Sequence, residues 1–83
     1  MKQEIIVGIN VPDRENLAVD VQKVISEFGC SIRARIGLHE VQEKTCSPHG
    51  LIILHMIATD KDCTTLLSKL RKVKGVKAKK MIL

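Results

Sequence analysis

The sequence predicts an α+β domain of the ferredoxin-like type, in which a four-stranded antiparallel sheet carries two helices on one face. Segments with alternating apolar and polar residues occur near both ends of the chain and again in its middle. Between them lie two segments whose apolar residues recur every three or four positions, as is typical of helices. The resulting order is βαββαβ, and the 83 residues are predicted to form a single domain over 1–83.

The first strand and helix follow from local pattern. Residues 4–11 alternate strictly, and Pro12 is expected to end this strand. Asp13 can cap a helix over 14–28, because its carboxylate can accept the amide protons of the first turn. Gly29 is expected to end the helix with a positive φ.

The second and third strands are predicted to form a hairpin. Unbroken alternation over 32–39 places four residues on the core face: Ile32, Ala34, Ile36 and Leu38. It places four others on the opposite face: Arg33, Arg35, Gly37 and His39. Residues 40–50 are predicted to connect the strands, with strand extensions on both sides allowed. Residues 51–58 are apolar on both faces except at His55, which indicates a central strand.

The second half ends with a helix and a strand. Thr59 or Asp60 can cap the helix, and Gly75 is expected to end it. The strand over 76–83 follows, in which Lys80 breaks the apolar alternation. Because βαβ crossovers are right-handed, the first and third strands are expected to lie side by side in the centre.

The formal charge of +5 is concentrated in one segment. Seven cations and no acid lie in the basic segment, which comprises Lys69, Arg71, Lys72, Lys74, Lys77, Lys79 and Lys80. Such a segment can attract nucleic acid or an acidic partner. It can equally be a solvated helix end followed by a lysine-bearing edge strand.

The composition excludes several classes of protein. Phe28 is the one aromatic residue, so base stacking has no support and the chain by itself is not expected to bind nucleic acid. The longest apolar run, Leu51–Leu54, is too short for a membrane span. The first ten residues do not resemble a signal peptide, and three cysteines cannot all pair. We therefore expect reduced thiols and a cytoplasmic location.

One face of the predicted sheet has no helices over it, and its centre is apolar. Apolar surface of this kind tends to be covered. We therefore predict a homo-oligomer, either a dimer or a tetramer, with room for a small-molecule ligand between subunits.

Three stretches cover nearly the whole chain: NVPDRENLAVDVQKVISEFG, SIRARIGL and GLIILHMIATDKDCTTLLSKLRKVKGVKAKKMIL. Together they resemble a bacterial family described as putative iron-only hydrogenase system regulators. The family is ACT-like and is similar to the ligand-binding domain of nickel-responsive repressors. The resemblance implies regulation through ligand binding and assembly. The turn at 10–16 lacks the glycine common in amino-acid-binding ACT domains.

Two sets of residues are candidate binding sites. The candidate metal ligands are His39, Cys46, His49 and His55, since imidazole and thiolate bind Zn, Ni and Cu. No cofactor is predicted beyond such a transition metal. The candidate anion or partner site comprises Arg33, Arg35, Lys77 and Lys79. Its alternative is an ordinary solvent-exposed or oligomer surface.

Catalytic motifs are absent from the sequence, which has neither a phosphate-binding glycine loop nor a recognisable catalytic triad. The leading prediction is a non-enzymatic regulatory module that oligomerises through its sheet. Metal sensing by the His and Cys residues and nucleic-acid or acidic-partner binding by the basic segment remain as alternatives.

Overall fold

A computed structural model describes residues 1–41 and 46–83, with the side chains of all but 14–15, 38–41 and 46–49. The elements are β1 (Gln3–Val11), α1 (Arg14–Glu27), β2 (Ile32–Val41), β3 (Cys46–Ala58), α2 (Asp60–Arg71) and β4 (Lys77–Ile82). The sheet order is β2-β3-β1-β4, and all neighbouring strands are antiparallel. The predicted βαββαβ ferredoxin-like fold is therefore confirmed, including the central position of β1 and β3.

Both helices begin at the predicted capping positions. The Asp13 carboxylate accepts the Asn16 amide proton at 3.3 Å, which satisfies a free donor of the first turn of α1. Of the two candidates for α2, Thr59 is the cap, and its Oγ1 accepts from the Asp62 amide at 3.1 Å. Neither α1 nor α2 is long and apolar enough to cross a membrane.

The two helix ends differ from each other. Gly75 follows α2 with a φ of 80°, as its predicted role requires. Gly29 instead begins a short 3-10 turn over Gly29–Ser31, and Phe28 caps α1. Gly75 is the one described residue with a positive φ, so the expectation for Gly29 was wrong. The chain leaves α1 through a right-handed 3-10 turn, which requires no residue in the left-handed conformation.

The core lies between the sheet and the two helices. The apolar face of β1 is buried, and it belongs to one core cluster with the apolar stripe of α2, which comprises Cys63, Leu66, Leu67 and Leu70. The most completely buried side chains are Ile5, Ile9, Leu54, Met56, Leu66, Leu70, Val7, Val21 and Cys63. The period-two or period-3.6 spacing predicted the core face of all of these except Leu54 and Met56, because a strand that is apolar on both faces does not indicate which of its residues face the core.

β3 begins earlier than predicted. It starts at Cys46, within the interval 40–50 predicted as a connection, and Val41 pairs with Cys46. β1 reaches only as far as the pair of Val11 with Gly50. The backbone of β2 and β3 therefore extends beyond the four-stranded part of the sheet, as the allowance for strand extensions anticipated.

A β-bulge near Arg33 changes the predicted faces of β2. Ile32 pairs with Met56, but Ala34 already pairs with His55, so two steps along β2 match one along β3. The extra residue shifts the alternation by one. From Ala34 onwards the predicted face assignment is therefore wrong. Ile36, expected in the core, is 54% exposed.

Candidate interface on the open sheet face

The sheet surface opposite the helices is called the open face here. Strand pairing places four neighbouring rows of residues on it, and most of them are aliphatic. Its members are Glu4, Ile6, Gly8, Asn10, Ala34, Ile36, Leu51, Ile53, His55, Ile57, Lys77, Lys79 and Met81. Met81 is 56% exposed and Leu51 37% exposed, so this is apolar surface in contact with water.

His55 forms a cross-strand contact at one end of the open face. Its Nε2 lies 2.9 Å from Oε1 of Glu4 on β1. The His55 side chain is 31% exposed, and the Glu4 side chain is 53% exposed. This contact gives the imidazole a hydrogen-bond partner within the sheet.

Gly8 creates a hollow near the middle of the open face. It pairs with Ile53 on one side and with Lys79 on the other, and a Cβ at Gly8 would meet nothing within 4 Å. The resulting depression has a volume of about 300 Å³. It is lined by Gly8, Asn10, Leu51, Lys77, Ala78 and Lys79. The exposed surface of the hollow is almost wholly apolar, so Lys77 and Lys79 line it with their alkyl stems.

The fold divides the basic segment into two groups. Lys69 pairs with Glu27 at 2.6 Å, and Arg71 donates to the Ala78 carbonyl at 2.7 and 3.2 Å. Lys80 lies on the helix side, where it contacts Asp60 and Thr64. The remaining four lysines form no ion pair with any residue whose side chain is described: Lys72, Lys74, Lys77 and Lys79.

The structure does not bring the four predicted anion-site residues together. Lys77 and Lys79 lie on the open face of β4, whereas Arg35 pairs with the buried Leu54 and so belongs to the helix side. Arg33 is the extra residue at the bulge. β2 and β4 are opposite edges, about 14 Å apart at ordinary strand spacing. The two lysines and the two arginines are thus separate surfaces.

The side chains of His39, Cys46 and His49 lie outside the described part of the structure. The backbone pairs His39 with Gly50, which is five positions, or about 17 Å of strand, before His55. A metal ligand set is far more compact than this. His55 is therefore not placed with the other three within one chain, and no cluster of three metal-binding side chains occurs among the described residues.

The two described cysteines have different environments. Cys63 is fully buried in the α2 stripe, and this burial raises the pKa of its thiol above the ordinary value of 9.0. The nearby Lys80 ammonium opposes the increase in pKa, and the Asp60 carboxylate adds to it. Cys30, by contrast, is exposed in the short 3-10 turn after α1.

Two features of the open face were missed from sequence. The Gly8 hollow had a signal, because a glycine inside an alternating strand often marks a close approach or a missing side chain. The exposure of Ile36 had no signal in the sequence, because the place of Ile36 on the open face depends on the bulge in β2. No aliphatic residue can reveal by itself which side of a sheet it faces.

Comparisons with known proteins place this geometry in a family. TM1266 from Thermotoga maritima, titled an uncharacterized protein, is 28% identical with a TM-score of 0.86, covering 100% of this chain and 99% of its own. The ACT domain of a Chlorobium tepidum GTP pyrophosphokinase is 24% identical with a TM-score of 0.73, covering 98% of this chain and 100% of its own. The divalent ion tolerance protein CutA1 from Ehrlichia chaffeensis is 16% identical with a TM-score of 0.58, covering 100% of this chain and 83% of its own.

No curated protein matches the sequence. The sequence model of one family, TM1266-like, matches residues 4–80 and has the description "Iron-only hydrogenase system regulator, putative". The resemblance deduced from the sequence is therefore confirmed. The chain is an ACT-like domain with the ferredoxin-like fold, and it belongs to the TM1266-like family.

Proposed function

We propose that this domain regulates the iron-only hydrogenase system as a non-enzymatic module that self-associates through its open face. The observation that carries the proposal is the aliphatic surface left uncovered by the helices. Ile36 and Met81 are each more than half exposed there, and the half-buried Ile6, Ile53 and Ile57 lie between them. The family description supplies the regulated system, and the open face supplies the means of assembly.

The size of the open face supports an interaction role. Four strands span about 19 Å, and the seven residues from Glu4 to Asn10 on β1 span about 20 Å. The flat footprint is therefore roughly 400 Å², which is the size of the largest surface patch on a typical monomer, a patch that is often functional. A stable dimer buries roughly 800 Å² of accessible surface per partner. The flat footprint is about half of this figure before the relief of the projecting side chains is counted.

The chemistry of the open face favours a second copy of the chain over an unrelated partner. Homodimer interfaces resemble a protein core divided in two, whereas transient interfaces are enriched in aromatic residues and arginine. Six of the thirteen open-face residues named above are Ile, Leu or Met, and none is Phe, Tyr, Trp or Arg. The charged members of the open face are Glu4, which contacts His55, and Lys77 and Lys79 on the edge strand β4. A twofold dimer is the simplest assembly.

The mass of the protein in solution tests this proposal. We expect light scattering at micromolar concentration to give at least twice the 9.3 kDa chain mass. Ile36→Glu places a carboxylate on the open face and is expected to weaken association by at least about tenfold, because a buried unpaired charge is costly.

Val19→Glu is the matched control. Val19 is a 63% exposed residue of α1, so the same type of change on the helix side should leave the mass unchanged. A wild-type monomer at these concentrations would contradict the proposal, as would equal masses for the wild type and the Ile36→Glu variant.

The metal-sensing alternative stays a prediction. Within the described residues, the one candidate ligand with a placed side chain is His55, and its Nε2 contacts Glu4. No observation on the described part of the chain favours a metal over self-association.

A further inference from the structure

The outer edge of β2 is a second uncovered surface, separate from the open face. β2 is the last strand on its side of the sheet, and residues 33–37 are all exposed. The opposite edge is partly closed, because the Arg71 guanidinium donates to the Ala78 carbonyl of β4 at 2.7 and 3.2 Å. No described side chain makes a comparable hydrogen bond to the backbone of β2.

One hydrogen bond outside the ladder fixes the direction of the backbone groups across the sheet. The Leu83 amide donates to the Glu4 carbonyl at 2.9 Å, so the backbone groups of Glu4 point to β4. These groups alternate along a strand, so those of Val7 point to β3. Leu54 pairs with Val7, and its own groups therefore point to β1 and away from β2.

The alternation continues into β2. Arg35 is the partner of Leu54, so its N–H and C=O point away from β3 and into solvent. Gly37, two positions further on, has the same orientation. The groups of Ile36, between them, point to β3 and its partner Ile53. Free groups of this kind can pair with another extended segment.

The side chains along this edge define what such a segment would carry. Arg35 belongs to the helix side of β2, and Ile36 to the open face, where it is 54% exposed. An added strand would place its residues on these two faces in turn, about 5 Å from β2. A carboxylate suits the position beside Arg35, and an apolar side chain suits the position beside Ile36. Acidic and apolar residues would therefore alternate.

The arginines favour an acidic partner over a second copy of the chain. Arg33 and Arg35 form no ion pair with any described side chain. In a twofold antiparallel pairing centred between Ala34 and Ile36, arginines of the two copies would lie opposite or diagonal to each other. Like charges in these positions destabilise a strand pair. Carboxylates would replace this repulsion by charge-assisted hydrogen bonds.

We propose that the outer edge of β2 binds an extended acidic segment of a partner protein as an added antiparallel strand. The carboxylates of the segment lie beside Arg35, and its apolar residues continue the aliphatic surface next to Ile36. This inference goes beyond self-association, because the edge and the open face are different surfaces. Binding at the edge requires only a single chain.

Hydrogen exchange of the ¹⁵N-labelled full chain tests the inference, with the capped peptide Thr-Glu-Val-Glu-Val-Glu-Thr as the probe. The Arg35 and Gly37 amides should exchange rapidly in the free chain and at least about tenfold more slowly with excess peptide. The Ile36 amide should be protected in both states. Unchanged exchange at Arg35 and Gly37 would overturn the proposal. Protection of both amides without peptide would also overturn it, because a second copy would then occupy the edge.

Two modified peptides test the strand pairing itself. In an antiparallel pair, the residue opposite Arg35 directs its N–H towards β2. N-methylation of the Glu residues removes these donors and should abolish binding. N-methylation of the Val residues changes donors that face solvent, and it should alter the affinity by less than about twofold. Equal effects of the two modifications would contradict the proposed pairing.

Charge reversal tests the choice of partner. Arg35→Glu should weaken binding of the acidic peptide by at least about tenfold, and it should strengthen binding of the matched peptide with Lys in place of Glu. Lys61→Glu is the control, since it makes the same change in net charge at an exposed position of α2, the helix that contacts β4. Equal effects of the two variants would refute the role of Arg35.

Sedimentation of the same samples separates this inference from the proposed function. Peptide binding by a chain that stays monomeric would support the edge site and contradict self-association. A stable dimer that does not bind the peptide would support self-association and overturn the edge site.

Discussion

Gly75 shows how a single residue connects the two halves of the fold. It ends the turn after α2 with a φ of 80°, a conformation that side chains other than glycine rarely adopt. A Cβ at this position would also approach Cγ of Pro12 to 3.0 Å. The glycine therefore provides both a left-handed turn and space for the turn that leads into α1.

Gly75→Ala is expected to lower the free energy of unfolding by about 1–2 kcal/mol, because the native φ and the Pro12 contact both disfavour a methyl group. Urea denaturation followed by circular dichroism measures this change. Gly29→Ala is the control, since Gly29 has no positive φ and no atom within 4 Å of an added Cβ. Equal destabilisation by the two substitutions would contradict this account of Gly75.

Among the elements, β2 determines what the open face contains. Its bulge leaves Ile32 on the core side and turns Ile36 to the open face. Both residues are isoleucines on one strand four positions apart, and an unbroken strand would place them on the same side. The bulge therefore converts a residue that would have stabilised the monomer into one available for association.

Alanine substitution distinguishes these positions. Ile32→Ala should lower the free energy of unfolding by about 1–2 kcal/mol, because this half-buried side chain packs against the core. Ile36→Ala should change the stability of the monomer by less than about 0.5 kcal/mol. Unfolding at two protein concentrations reveals any contribution from association. Similar losses at both positions in the monomer would argue against the bulge.

Across the whole molecule, charge is distributed more evenly than the sequence suggested. Seven cations lie between Lys69 and Lys80, while the other seven basic residues share the chain with nine acids. Three of the seven are engaged in contacts within the fold, namely Lys69, Arg71 and Lys80. The surface offered to a polyanion is therefore smaller than the charge count implies.

This distribution limits the nucleic-acid alternative, which stays a prediction. Binding to a DNA duplex through the four lysines that form no ion pair with a described side chain should give a slope of log affinity against log salt no steeper than about −4. All seven cations would give about −6. The slope is measured by fluorescence anisotropy of a labelled DNA duplex at NaCl concentrations from about 50 to about 200 mM.

Replacing both Lys77 and Lys79 by Glu tests the same alternative. If these residues contact phosphate, the double variant should lose affinity and its slope should flatten by about 2. Unchanged binding would remove these two lysines from any nucleic-acid contact.

Much of the fold was predictable because its signals are local. The periods of β1 and α2, and the caps at Asp13 and Thr59, depend on neighbours within a few residues. The early start of β3 was less predictable, because a paired strand extension and a polar connection have similar compositions. The predicted positive φ at Gly29 was wrong because a helix can also end in a 3-10 turn, which needs no left-handed residue.

The sequence by itself determined the order of the elements, the core residues of β1 and α2, the family, and an overall positive charge confined to one segment. Tertiary structure decided the rest. It placed Ile36 on the open face, divided the basic segment and put Lys77 and Lys79 beside the Gly8 hollow. The physical reason is register. Which side chains share a sheet surface depends on the pairing of distant strands, and a single extra residue in one strand reverses that assignment.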